Sequence, residues 1–180
     1  MRKIFFGISF FVSAATFGQL QMTSVCNDST YPGIPALTQI VNITKDIIPG
    51  EFSNGRGYCS YRIKLDSNMT FKKDGQCCSD SFLVDSGQWS INNSSTVVLG
   101  SKDHALVFYI FKFDNWLFFI QEKEKWNFIA DLKHAMARLG NRKPVVKEGK
   151  TYSVNYIIGS SLAYLLYYAR ETDDGAGIFY

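Results

Sequence analysis

From Cys59 onward apolar side chains fall at every second position: Cys59, Tyr61, Ile63 and Leu65 alternate with Ser60, Arg62 and Lys64. A period of two matches the pleat of a β-strand, whose successive side chains point to opposite faces, so this segment is a strand with one face buried. Asp66-Ser67-Asn68 supplies turn chemistry. Pairing Asp66 with Thr70 then sets Leu65 opposite Phe71, Ile63 opposite Lys73 and Cys59 opposite Cys77. Directly opposed strand residues lie about 4.5–5.5 Å apart, within disulfide reach. The register therefore predicts a Cys59–Cys77 bond and leaves Cys26 to pair with Cys78. It also turns Lys73 inward, an awkward place for a cation, so a bulge that moves the partner to Cys78 is the competing arrangement.

More strands follow. Phe82–Asp85, Gly87–Ile91 and Thr96–Leu99 are short apolar runs, the last two separated by a polar turn at Asn92–Ser95. Leu106–Phe113 and Trp116–Gln121, joined by Asp114-Asn115, form the clearest hairpin in the chain. Strands spaced this regularly, with tight turns, favour an antiparallel sandwich or barrel. After Gln121 the period changes: Ile129, Leu132, Met136 and Leu139 recur at helical spacing and Gly140 is placed as a stop. Beyond Pro144, Thr151–Ile158 reads as a strand and Ser161–Arg170 as a second helix. Upstream, residues 19–57 read as a loop-rich arm with one short element in the apolar patch Ala36–Ile43, closing over the core. The expected fold is α+β and mainly β. An antiparallel meander over 58–121 forms a barrel-like or half-barrel sheet, and 122–180 adds helix, strand and helix, giving two carboxyl-terminal helices.

Arg2 and Lys3 precede an apolar run from Ile4 to Val12 and then the small residues Ser13, Ala14 and Ala15, the layout of a secretory signal peptide. Thr16 and Gly18 suit the cleavage site, which puts the cut before Gln19 and leaves 19–180 as a single β-rich domain. The run is shorter than the roughly 20 residues a membrane span needs, and Lys112, Asp114 and Asn115 interrupt the next most apolar stretch, so no transmembrane span is expected in the mature chain. The expected destination is the periplasm or the exterior. There the four cysteines read as disulfides. No Cys-x-x-Cys occurs and neither histidine is near a cysteine, so no metal and no cofactor is expected. The formal charge of +3 owes two units to Arg2 and Lys3, and the remaining basic residues are scattered, which gives nucleic acid no footprint.

Several constellations invite chemistry. Gly159-Ser160-Ser161-Leu162-Ala163 has the small-x-Ser-x-small form of a hydrolase nucleophile turn, but no histidine follows it, and a serine opening a helix reads better as an N-cap. Gly149-Lys150-Thr151 lacks the first glycine of a phosphate loop, since Pro144 stands there. Asp131 and His134 share the polar face of the first helix and are a candidate acid–base dyad or a solvated cluster. His104, beside Lys102 and Asp103, reads as a turn residue. Cys77-Cys78 is a candidate vicinal redox pair, against which two structural bridges are preferred. Asn27, Asn42, Asn68, Asn92 and Asn93 each begin an Asn-x-Ser/Thr triplet.

Leu65-Asp66-Ser67-Asn68-Met69-Thr70-Phe71, then Gly87-Gln88-Trp89-Ser90-Ile91, then Val97-Val98-Leu99, resembles the small lipocalin-like secreted domains of bacterial envelopes over residues 58–121. The resemblance implies a β-barrel, and no binding residue transfers with it. The function expected is a non-catalytic exported binding domain for an apolar small molecule or another envelope protein. Trp89, Phe108, Phe111, Trp116 and Phe118 are the candidate ligand-binding residues, drawn from an aromatic content of 16%. The alternatives are an envelope enzyme using Asp131 and His134 or the Cys77-Cys78 pair, and a structural or adhesive surface protein with an exposed aromatic patch.

Overall fold

The computed structural model describes residues 34, 37–45, 48–55, 58–78, 80–101, 104–165 and 167–172. The expected signal peptide at 1–18, Cys26 and the carboxyl-terminal tail lie outside the described residues. Among the described residues, eleven strands and two α-helices follow one another in the order β1 (Leu37–Gln39), β2 (Gly50–Asn54), β3 (Cys59–Leu65), β4 (Thr70–Cys77), β5 (Asp80–Asn92), β6 (Thr96–Gly100), β7 (Ala105–Phe113), β8 (Trp116–Gln121), α1 (Lys125–Leu139), β9 (Val145–Lys147), β10 (Lys150–Tyr152), α2 (Val154–Leu165) and β11 (Tyr168–Glu171).

Seven strands, β2 to β8, pair with their sequence neighbours in an antiparallel meander. The chain then leaves the sheet for α1, the β9–β10 hairpin and α2, and returns as β11, which pairs with β8 on one side and β2 on the other. With β7 also bonded to β8, the result is a closed eight-stranded barrel with two helices. Closure removes every exposed edge that a half-barrel would leave. β1 adds to β7 beyond the point where β6 ends, Leu37 facing Phe113 and Gln39 facing Phe111.

The turns carry the expected chemistry. Asp66 N donates to Thr70 O at 2.9 Å and the β3–β4 register runs unbroken from Leu65–Phe71 to Cys59–Cys77. The Cys59–Cys77 disulfide forms as that register requires. A bulge does occur beside Lys73, but on the opposite edge of β4, where the β5 register shifts between Lys73 and Asp74. It leaves the cysteine pairing intact. Asp114 takes φ 52°, the left-handed value that a tight hairpin turn requires, and β7 and β8 meet across it from Phe113–Trp116 to Phe108–Gln121.

Two cores lie on opposite sides of β7 and β8, because both faces of these strands are apolar. Phe108 and Ile110 of β7, with Leu117 and Phe119 of β8, point into the barrel and meet Phe52, Ile63, Leu65, Phe71, Trp89, Val97 and Leu99. Phe111, Phe113, Trp116, Phe118 and Ile120 point out and are covered by α1, through Phe128, Ile129, Leu132, Ala135 and Leu139, and by α2, through Ile158, Leu162 and Ala163.

Three expectations need correction. The expected strand at 151–158 is only Lys150–Tyr152, and helix α2 begins at Val154, ahead of the expected Ser161. Ser161 is consequently no N-cap but lies within the helix, its Oγ donating to Ile158 O at 2.8 Å. The residues expected to end that helix, from Tyr168 on, form the closing strand. Val154, Ile157 and Ile158 favour strands intrinsically, but packing of Ile158 and Leu162 on the barrel overrides that preference. Finally, the loop-rich arm contains a second strand, β2, whose only large apolar residue is Phe52 and whose pairing is imposed by β3.

Candidate binding site at the open end of the barrel

The antiparallel order puts two different ends on the barrel. At one end lie the β3–β4 turn, the β7–β8 turn and the arm that crosses from β1 to β2. Ile43 and Ile48 are buried there, with Ile43 N donating to Ser94 O at 2.8 Å. Trp89 Nε1 donates to Asp66 O at 2.9 Å, and Arg170 Nη1 donates to Pro49 O at 2.8 Å while its guanidinium stands 4.8 Å over the Phe52 ring. Burial holds the Arg170 guanidinium below the ordinary arginine range. Gly50 is obligatory here, since it takes φ +143° and a Cβ on it would collide with Arg170. This end is plugged.

The other end is open. It gathers the disulfide-bonded ends of β3 and β4, the start of β5, the β6–β7 loop, the end of β8 and the start of β11. A cavity of about 440 Å3 enters the barrel here. Its barrel wall is Leu106, Phe108, Phe119, Tyr168 and Lys73, and its helix wall is Glu124, Asn127, Ala130 and Asp131 of the α1 side. Tyr167, at the join, donates from its hydroxyl to Asp131 Oδ2 at 2.6 Å. Burial, then that hydrogen bond, pushes the Tyr167 hydroxyl well above its ordinary pKa. Burial also pushes Tyr168 up to about 12, with Tyr61 adding to the shift. Both phenols are neutral, and both rings present apolar surface to the cavity.

A second cavity of about 480 Å3 adjoins the first along the rim and shares Lys73 and Leu106 with it. Leu83 and Val84 contribute apolar surface, and a polar chain crosses it: Ser101 Oγ lies 3.3 Å from His104 Nδ1, and His104 Nε2 lies 3.3 Å from Asp85 Oδ2. Above both, Tyr61 and Phe82 meet edge to face at 6.3 Å across Gly75. A Cβ at Gly75 would come within 2.5 Å of the Phe82 ring, so glycine is what lets this aromatic rim close over β4. Compared with known proteins, the chain matches no family model, no curated protein and no solved structure.

The structure divides the five aromatic residues expected to bind a ligand. Phe108 lines the first cavity, and Trp89 is buried below it in the plugged half. Phe111, Trp116 and Phe118 face the helices in the other core. Alternation alone could not tell these sets apart, because β7 and β8 are apolar on both faces. Phe119 and Tyr168, which also line the first cavity, stand outside the five, although Phe119 is two residues from Leu117 on the same face. The residues of the enzyme alternative are not gathered into one site. Asp131 faces the cavity and accepts from Tyr167, whereas His134 is exposed on α1 and makes no hydrogen bond or ion pair among the described residues. Cys77 is bonded to Cys59 and not to Cys78, which is exposed beside it; the expected partner of Cys78, Cys26, lies outside the described residues. Gly159 turns out to serve packing: a Cβ there would come within 2.4 Å of Trp116 Cδ1, so the small residue lets α2 approach β8. Among the described residues no three His, Cys, Asp or Glu side chains are grouped to hold a metal ion, and no helix is long and apolar enough to cross a membrane.

Proposed function

We propose that this protein is an exported, non-catalytic binding domain that holds an apolar ligand in the open end of its barrel. The observation that carries the reading is the cavity of about 440 Å3 over Leu106, Phe108, Phe119 and Tyr168, within the range of small-molecule sites and set above a solid, plugged lower half. The plugged half supplies the rigid floor that a preformed pocket needs. Pockets of this kind bind through apolar contact, with few polar groups to orient the ligand. The resemblance to lipocalin-like envelope domains supports the same reading through the barrel. The Cys59–Cys77 bridge supports export, because disulfides persist in oxidising compartments.

The test is native mass spectrometry of the mature protein purified from its own envelope, before and after denaturation. A small extra mass that leaves on denaturation is the expected result. A bare chain that also takes up no apolar compound when incubated with the lipid extract of the same cells would refute the reading.

A further inference from the structure

We propose that the ligand of the open end is an amphiphile with an anionic head group, and that Lys73 receives that head; the inference rests on the binding function proposed above. Lys73 lies on the inward face of β4, in the alternation Phe71, Lys73, Gly75, and it stands where the two cavities meet. Among the described residues it is the only basic side chain in the wall of the cavity of about 440 Å3. Its Nζ lies 5.7 Å from the centre of the Tyr168 ring and forms no hydrogen bond or ion pair among the described residues.

The neighbouring charges account for that isolation. Lys72, on the outer face, is the residue that pairs with Asp74, at 3.3 Å. Asp85, which faces Lys73 across β4 and β5, is directed to His104 Nε2 at 3.3 Å and to the Ser86 amide at 2.8 Å. Asp131 and Glu124 line the helix wall of the cavity and are engaged by Tyr167 and Asn127. An ammonium against an apolar wall is costly to leave without an anion, and a charge-assisted bond to a carboxylate, phosphate or sulfate offsets that cost. The two carboxylates on the helix wall repel an anion from that side. A ligand is thereby oriented, with its head at Lys73 and its chain over Leu106, Phe108 and Phe119.

The test is displacement of the neutral dye phenylnaphthylamine by dodecanoate, dodecanol and dodecylammonium, with acetate and inorganic phosphate as heads without chains. It is run on the full mature protein and on Lys73→Met and Lys72→Met. Dodecanoate should displace the dye at about tenfold lower concentration than dodecanol, the size of one charged hydrogen bond, and dodecylammonium should be the weakest. K73M should erase the advantage of dodecanoate over dodecanol, and K72M, on the outer face, should preserve it. Acetate and phosphate should displace nothing. Equal displacement by dodecanoate and dodecanol, an advantage that survives K73M, or displacement by acetate or phosphate alone would overturn the proposal while the apolar site stands. If neither the dye nor any chain binds, the proposed binding function falls with it.

Discussion

Single side chains decide both how tightly the helices cover the barrel and how the open end responds to alkali. Gly159 admits α2 to Trp116 at a distance no side chain tolerates, so Gly159→Val forces helix and strand apart. We expect a loss of about 1–3 kcal/mol, the usual cost of overpacking, read as a lower urea midpoint with an unchanged slope. Tyr168 is raised by burial to about 12. An unfolded tyrosine ionises near pH 10, so the native state keeps its proton where the unfolded chain has lost it. The stability this contributes is complete below about pH 10 and declines as pH rises toward 12. The urea midpoint should therefore fall over that window, and Tyr168→Phe should flatten the fall; an identical pH profile in the two proteins would show that Tyr168 is not desolvated. Lys73 shows what was and was not legible at this scale. The alternation of β3 and β4 already turned it inward, but only the folded barrel shows that Asp85, its partner across β5, is occupied by His104.

At the scale of elements, legibility followed the strength of local patterning. The β3–β4 pair was readable down to its favoured disulfide, because a polar turn and a period of two set the register, and the structure decides it against the competing bulge that would have moved the partner to Cys78. The β7–β8 hairpin and α1 were readable for the same kind of reason. β2 was not, since one phenylalanine in Gly50–Asn54 gives no periodicity and its partner strand imposes its structure. β11 was not, since its pairing partners lie some distance back along the chain. That closing strand meets β2 at a single registered pair, Ala169–Ser53, while it meets β8 at four, from Tyr168–Phe119 to Glu171–Trp116. The barrel should open first along this seam. Hydrogen exchange is expected to show β2 and β11 amides exchanging well ahead of those in β3 and β4, and uniform protection around the barrel would contradict it. The disulfide ties the far ends of β3 and β4 across a separation of 18 residues. Replacing both Cys59 and Cys77 by alanine should cost about 3 kcal/mol on the chain-entropy estimate, measured by denaturant unfolding, and should loosen the aromatic rim of Tyr61 and Phe82.

For the whole molecule, the barrel is built as a plugged half and an open half, backed on one side by two helices that form a separate core. The sequence announced a β-rich fold with aromatic residues in abundance. It could not announce which aromatics face the lumen, because an apolar strand buried on both sides carries no inside or outside label. That ambiguity is why Phe111, Trp116 and Phe118 were candidates for the ligand site and Phe119 was not. The central claim is that an apolar molecule enters at the open end, and the most direct test is to see where one goes. We would titrate the protein with phenylnaphthylamine and follow amide and aromatic side-chain chemical shifts by NMR. The account predicts saturable shifts at Leu106, Phe108, Phe119, Tyr168 and Lys73, with Trp89 Nε1 and the helix-facing Phe111, Trp116 and Phe118 little changed. Shifts concentrated in the helix-facing set, or none at all up to the solubility of the dye, would contradict it.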